Sequence, residues 1–228
     1  MGNKNLHNAK NSKNDEFYTQ YTDIQKEIDA YLEYNPNVFR DKTILLPCDD
    51  PEWSNFTKFF VQNFEKFGLK KLISTCYIIN NCQTVLFEND CLQNFNSHGK
   101  ILTITKENLN PNWDYLDGDG DFRSSEIKAL RDESDFIITN PPFSLFREFV
   151  SWVFETDKKF LIIGNMNAIT YKEVFPLIKN NKMWLGATGF MTDMVFEVPD
   201  GIEINPKDRK KAEKLGYKGN YTRLGNSC

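Results

Sequence analysis

The sequence has no run of apolar residues long enough to cross a bilayer, and its opening stretch, MGNKNLHNAKNSKNDE, is polar where a secretory leader requires an apolar segment. These absences predict a soluble, cytoplasmic protein with no membrane partner. Histidine is scarce, with only His7 and His98, which leaves little material for a His-based triad or a His-rich metal site. The five cysteines, Cys48, Cys76, Cys82, Cys91 and Cys228, are odd in number and form no CxxC pair. Neither a zinc ribbon nor a disulfide scaffold is indicated, and no structural metal is expected. Excess positive charge is also missing. The formal net charge is −4, the wrong sign for a protein whose whole surface embraces nucleic acid. There is no internal repeat, and low complexity is confined to the Asn/Lys-rich residues 2–14.

What is present suits one α/β domain with a real core: 228 residues, 40% of them hydrophobic and 14% aromatic. Phe17, Tyr21, Ile24, Ile28, Tyr31 and Leu32 recur at steps of three and four, predicting an amphipathic helix over 15–34 that ends at NPN. KTILLP at 42–47 reads as a buried strand. Phe56, Phe59, Phe60, Phe64 and Phe67 then give one broad helical face closed by Gly68. LKKLISTCYII is a second strand. Between 80 and 106, QTVLFEND and GKILTITK predict a peripheral inserted hairpin with a long loop. A short strand near WDYL, a Gly/Asp loop, a helix over 124–131 and the strand DFIIT follow. SLFREFVSWVF reads as helix, KKFLIIGN as strand, and YKEVFPLIKNN as a helix with an awkward mid-proline. KMWLGATGFMTDMVFEV supplies closing strands. Such alternation implies parallel pairing, helices on both faces, and a ligand crevice beyond the carboxyl ends of the strands. Residues 205–223 hold seven Lys or Arg against Asp208 and Glu213, either a solvated segment or a contact for phosphates. The expected organisation is a polar tail over 1–14, a domain over 15–200, and a basic tail or the start of a further region over 201–228.

Three clusters fall after predicted strands: PCDDPEWSNF (47–56), DGDGDFRSSE (117–126) and NPPFSLF (140–146). They are expected to converge on one crevice. Two prolines in a row end a strand abruptly, yet Asn140, Pro141, Pro142 and Phe143 have a chemistry beyond turning the chain. The Asn140 side-chain oxygen and the Pro141 carbonyl are acceptors, and proline adds no competing N–H. A rigid acceptor pair holds an exocyclic amino group by both hydrogens and draws its nitrogen out of conjugation, freeing the lone pair for attack. Phe143 offers a flat surface on which the base carrying that amine stacks. A plain turn is the structural alternative. Asp50, Pro51 and Ser54 serve equally as the cap of the next helix. Asp117, Asp119 and Asp121 mimic the start of a calcium loop, but the glycine register and the missing downstream Glu argue against calcium. Cys48 after Pro47 echoes the nucleophile of cytosine-C5 methyltransferases. It lies in the wrong loop for that chemistry and reads as a small buried residue.

Asn-Pro-Pro-Phe is a form of the amino-methyltransferase signature. Together KNDEFYTQY, PCDDPEWSNF, GDGDFRSSE, TNPPFSLFREFV and FLIIGNMNAITYKEVF resemble the EcoRI-type adenine-N6 DNA methyltransferases over residues 13 to about 200. The resemblance implies the Rossmann-like fold of S-adenosylmethionine-dependent methyltransferases, and S-adenosylmethionine as cofactor. It also implies double-stranded DNA as partner and, in a restriction-modification or phage-protection setting, a cognate restriction endonuclease. Residues 140–143 would be the catalytic turn. Cys48, Asp49, Asp50 and Ser54 would belong to the cofactor loop, although Ser54 and Phe56 stand where methyltransferases usually carry glycine. Asp121 would accept from the cofactor's adenine amine while Phe122 packs on that adenine. Tyr18 and Thr19 would lie against the methionine end, where an aromatic ring also favours the sulfonium charge; docking of the first helix is the other role open to this stretch. The same turn accommodates cytosine N4, guanine N2 of RNA or a protein glutamine, and a non-catalytic, truncated DNA- or cofactor-binding module would keep the fold without turnover.

Overall fold

The protein is described here by a computed structural model covering residues 18–78, 98–187, 194–198 and 204–224. Six strands form the central sheet: β2 (Thr43–Leu46), β3 (Lys71–Cys76), β4 (Lys100–Thr105), β5 (Asn112–Tyr115), β6 (Phe136–Thr139) and β7 (Lys159–Ile162), in the order β5-β4-β3-β2-β6-β7. The pairs β3-β2, β2-β6 and β6-β7 are parallel, whereas β4 and β5 add antiparallel on the far side of β3.

Every residue of β2 and β6 is buried, as an apolar run covered on both faces requires. Strand alternation sorts their side chains into two cores. Ile44, Leu46, Leu72, Phe136 and Ile138 meet α1 (Tyr21–Tyr34), α2 (Asn55–Gln62) and α3 (Phe64–Phe67) on one face. Leu45, Ile73 and Ile137 meet α4 (Ser125–Glu133) and α5 (Phe146–Phe154) on the other. Phe39, Phe59, Phe60, Phe67 and Phe136 fill the first core with ring centroids 5.2 to 6.2 Å apart, several edge-to-face.

Several expectations need correction. The first helix begins at Tyr21, because Tyr18 and Thr19 are extended as β1 and pair with Glu197 and Phe196. The phenylalanine helix is broken at Asn63, whose side-chain amide donates to the Phe59 carbonyl at 2.9 Å and ends α2 before α3 begins. Gly68 closes α3 at φ 64, as expected. QTVLFEND lies outside the described residues. GKILTITK is no peripheral insertion: it is β4, paired with β3 from Lys71↔Thr105 to Cys76↔Lys100. The link over 106–111 is too short for a crossover helix, so β5 must turn back antiparallel. In YKEVFPLIKNN the helix, α6 (Phe175–Lys179), starts one residue before Pro176, which falls in the first turn, where a missing N–H costs no intrahelical bond.

A second sheet stands apart, with antiparallel order β1-β8-β9, where β8 is Met194–Glu197 and β9 is Tyr221–Leu224. The expected closing strand is therefore found here and not in the central sheet, because β8 has β1 and β9 as partners on its two edges. The basic run forms α7 (Pro206–Lys214), capped by Asn205, and then β9, against which α7 packs. No described helix is long and apolar enough to cross a membrane.

Candidate active site

The loop after β2 crosses the carboxyl ends of β3 and β6, and hydroxyl groups hold it there. Thr75 Oγ1 donates to the Pro47 carbonyl at 3.2 Å, Asp49 N donates to the Thr75 carbonyl at 3.0 Å, and Ser74 Oγ donates to the Asp49 carbonyl at 2.8 Å. Thr139, the last residue of β6, accepts from Cys48 N at 3.2 Å and donates to Asp49 Oδ2 at 2.5 Å. Ser54 Oγ donates to Asp49 Oδ1 at 2.6 Å while accepting from Phe56 N as the cap of α2. The backbone N–H of Asn140 completes the set of donors around the Asp49 carboxyl. Asp49 is 4% exposed. Burial pushes its carboxyl up to about 7, against the opposing pull of those hydrogen bonds.

Asp49 therefore faces inward and ties the loop to the Asn-Pro-Pro-Phe turn. Asp50 Oδ1 accepts from Glu52 N at 2.7 Å and Trp53 N at 3.0 Å, making an Asx turn. No residue between 47 and 56 has a positive φ. The loop thus reaches α2 without the backbone freedom that glycine supplies elsewhere, which accounts physically for Ser54 and Phe56. Cys48 is half-buried rather than fully buried.

The acidic loop arrives at the same edge. Ile78 N donates to the Asp119 carbonyl at 2.9 Å, just beyond β3, and a Cβ on Gly120 would lie 2.2 Å from the Cys76 carbonyl oxygen. At φ 85, Gly120 is required for this approach. Asp119 caps Asp121 N, Glu126 takes the N–H groups of Asp117 and Gly118, and Arg123 forks onto Asp121. That guanidinium holds the Asp121 carboxyl below its ordinary range. Phe122 departs from its expected role: it is 4% exposed and wedged between Phe149 and Trp152, centroids 5.2 and 5.7 Å away, so its ring serves the core and not the crevice.

Asn140 leaves β6 half-buried, and the Pro142 carbonyl accepts from Leu145 N at 3.0 Å to close a short 3-10 turn over Phe143–Leu145. Phe143 is also half-buried, in edge contact with Phe196 of β8 at 6.2 Å and 86°. The second sheet thus backs the Asn-Pro-Pro-Phe turn. Thr19, paired with Phe196, receives Asn55 Nδ2 on its carbonyl at 2.9 Å, which sets β1 over the start of α2. Thr19 Oγ1 and Gln20 Nε2 are buried and have no hydrogen-bond partner among the described residues. Leaving such groups unsatisfied costs about 1–3 kcal/mol each, as befits a site that a polar ligand completes. Sequence reasoning missed Thr57, whose Oγ1 shares a 2.7 Å hydrogen bond with Ser74 Oγ, as well as Ser74, Thr139, Gln20 and Phe196. The polar Ser-Thr pair inside the apolar strand LISTC was the available signal for the hydroxyl network.

The mostly parallel central sheet with helices on both faces is the Rossmann-like fold of the methyltransferases, and the Asn-Pro-Pro-Phe turn lies at the carboxyl end of its strand β6. Comparison with known proteins narrows it. The family model described as adenine-specific methyltransferase EcoRI matches residues 5–228. The chain is 47% identical to the type II methyltransferase M.EcoRI of Escherichia coli, over 99% of this chain and 67% of that protein. It is 34% identical to M.MpnI of Mycoplasma pneumoniae, over 91% of this chain and 58% of that one. With M.MgeORF184P of Mycoplasma genitalium it shares 35%, over 91% and 59%. The chain belongs to the EcoRI-type adenine-specific methyltransferase family, and it spans between 58% and 67% of the length of these relatives. No solved structure matches it.

Proposed function

We propose that this chain carries the catalytic domain of a cytoplasmic, site-specific DNA methyltransferase that moves a methyl group from S-adenosylmethionine to N6 of adenine. The observation that carries the proposal is the shared anchoring of the two halves of the site: Asp49 of the cofactor loop takes Thr139 Oγ1 and the N–H of Asn140. Bound cofactor supplies an electrophilic methyl group on a sulfonium, already activated for displacement. The loop over 47–54, with Thr19, Gln20 and the half-buried Asp121, would hold it. Tyr18 would lie beside its methionine end. Asn140 Oδ1 and the Pro141 carbonyl would accept both hydrogens of the adenine amine, and the ring of Phe143 would carry the base once it is flipped from the duplex. Catalysis then rests on alignment of the amine with the methyl group, without a covalent enzyme intermediate.

The test is transfer of a labelled methyl group to DNA, RNA and protein offered separately. Label in DNA, recovered as N6-methyladenine, is expected. Label confined to RNA or protein refutes the proposal, and N4-methylcytosine in the DNA refutes its choice of base. Sequencing methylated DNA from a methylation-free host would give the recognition sequence, which a companion restriction endonuclease would share.

A further inference from the structure

Arg123, Arg131 and Arg147 lie around helices α4 and α5, and the fold treats them differently. Arg123 is forked onto Asp121 and also reaches Glu148 at 3.0 Å. Arg131 is buried, with Asp132, Glu155 and the Trp152 carbonyl as partners. Arg147, one helical turn beyond the catalytic Phe143, has no carboxylate at ion-pair distance among the described residues. Its guanidinium carbon lies 4.1 Å from the centroid of the Tyr171 ring.

Local sequence builds that platform. A Cβ on Gly164 would meet Phe146 Cζ at 2.7 Å, so the chain leaving β7 passes closely over the first residue of α5. Asn165 Oδ1 then caps Asn167 N at 2.8 Å, and a 3-10 turn over Met166–Thr170 delivers Tyr171, whose N–H bonds the Ala168 carbonyl at 2.9 Å. The ring is half-buried against the cluster containing Phe146 and Val150. The next residue, Lys172, is 86% exposed and lies 3.7 Å from Glu173 Oε1, so its charge is already paired and the site rests on Arg147.

A guanidinium held 4.1 Å over a packed ring loses much of its rotamer freedom, while a contact with the ring face uses up none of its N–H hydrogen-bonding capacity with carboxylates. Its planar fork of N–H groups matches a phosphate bidentately. The position matters equally, since Arg147 sits on the first turn after the residues that would receive a flipped adenine. The phosphates flanking that nucleotide must pass along the rim there. We infer that Arg147, held over the Tyr171 ring, grips a DNA backbone phosphate beside the target adenine; this rests on the DNA-methylation reading above.

The experiment uses the full chain and a duplex fragment that the wild-type protein methylates. Duplex binding by fluorescence anisotropy across a salt series and cofactor binding by calorimetry are compared for the wild type, Arg147→Ala, Arg147→Lys, Tyr171→Phe and Tyr171→Ala. Arg147→Ala is expected to weaken duplex binding about tenfold at low salt and to reduce the slope of log affinity against log salt by about one. Cofactor affinity should hold. Tyr171→Phe should match the wild type, because the ring and not the hydroxyl carries the stack. Tyr171→Ala and Arg147→Lys should fall between the wild type and Arg147→Ala. An unchanged salt slope in Arg147→Ala, or a loss of cofactor affinity in its place, overturns the phosphate contact alone. Failure of the wild type to methylate any DNA overturns this inference together with the function on which it rests.

Discussion

Replacing Asp49 by Asn removes one ionisation from the centre of the site while keeping the side chain's shape. Burial raises the carboxyl from 3.8 to about 7, and the neighbouring Asp50 pushes it in the same direction. Between those two values the folded protein holds a proton that the unfolded chain has released. Unfolding then releases that proton, so stability falls as pH rises, by roughly 1.4 kcal/mol per pH unit. The stabilisation from the neutral acid is full below pH 3.8 and is lost by about 7, a total on the order of 4 kcal/mol. The amide of Asp49→Asn cannot titrate. It also offers hydrogens where Ser54 and Thr139 now donate, at a constant cost of about 1–3 kcal/mol.

Urea unfolding of both proteins at about pH 5, 6, 7 and 8 isolates the effect, because every other titrating group is common to the pair. The advantage of the wild type over Asp49→Asn should shrink by about 3 kcal/mol between pH 5 and 7 and then level off. A gap that stays flat, or widens with pH, refutes the reasoning. It would mean that the three donors around Asp49 outweigh its burial and keep it ionised throughout.

Asn140→Ala should lower kcat by at least about a hundredfold with little change in cofactor affinity, checked by single-turnover methyl transfer beside cofactor titration. Gly120→Ala should destabilise by more than about 2 kcal/mol in chemical denaturation, because its φ is 85 and the new methyl would collide with the Cys76 carbonyl. Phe60→Ala, at a position with no exposed surface, should cost about 3–5 kcal/mol and be visible as a lowered urea midpoint. Neutralising Lys210, Lys211 and Lys214 together should weaken duplex binding and flatten its salt dependence; equal affinity at every salt concentration would remove α7 from the DNA surface.

The turn after β6 was legible in the sequence because its cause is local: two prolines after FIIT end the strand and fix the backbone. The buried strands TILL and FIIT were legible for the same reason. Pairing was not. GKILTITK has the alternation of any half-covered strand, and only the short link to β5 and its register with β3 show that it belongs to the central sheet. Phe122 misled because an aromatic beside a conspicuous aspartate reads as a ligand platform, whereas the turn at Gly120 sends that ring into the Phe149 and Trp152 core. The hydroxyls of Thr57, Ser74 and Thr139 could have satisfied many partners, so their common assignment to one loop emerged only in three dimensions.

That assignment bears on how a loop without glycines can still belong to this enzyme class. Methyl transfer demands that donor and amine be aligned to a fraction of an ångström, although the two are held by loops from different strands. Here the carboxyl of Asp49 receives Ser54 from the start of α2, and Thr139 together with Asn140 from the end of β6. The start of α2 in turn holds β1 through Asn55 and Thr19, and β1 holds Phe196 against Phe143. The chain of contacts closes on itself around the crevice. Through these contacts the loop over 47–54 and Asn140 are held to each other, so a displacement of one is resisted by the other. A glycine-rich loop would gain freedom of approach, but that freedom would fall on the element that the Asp49 network makes rigid.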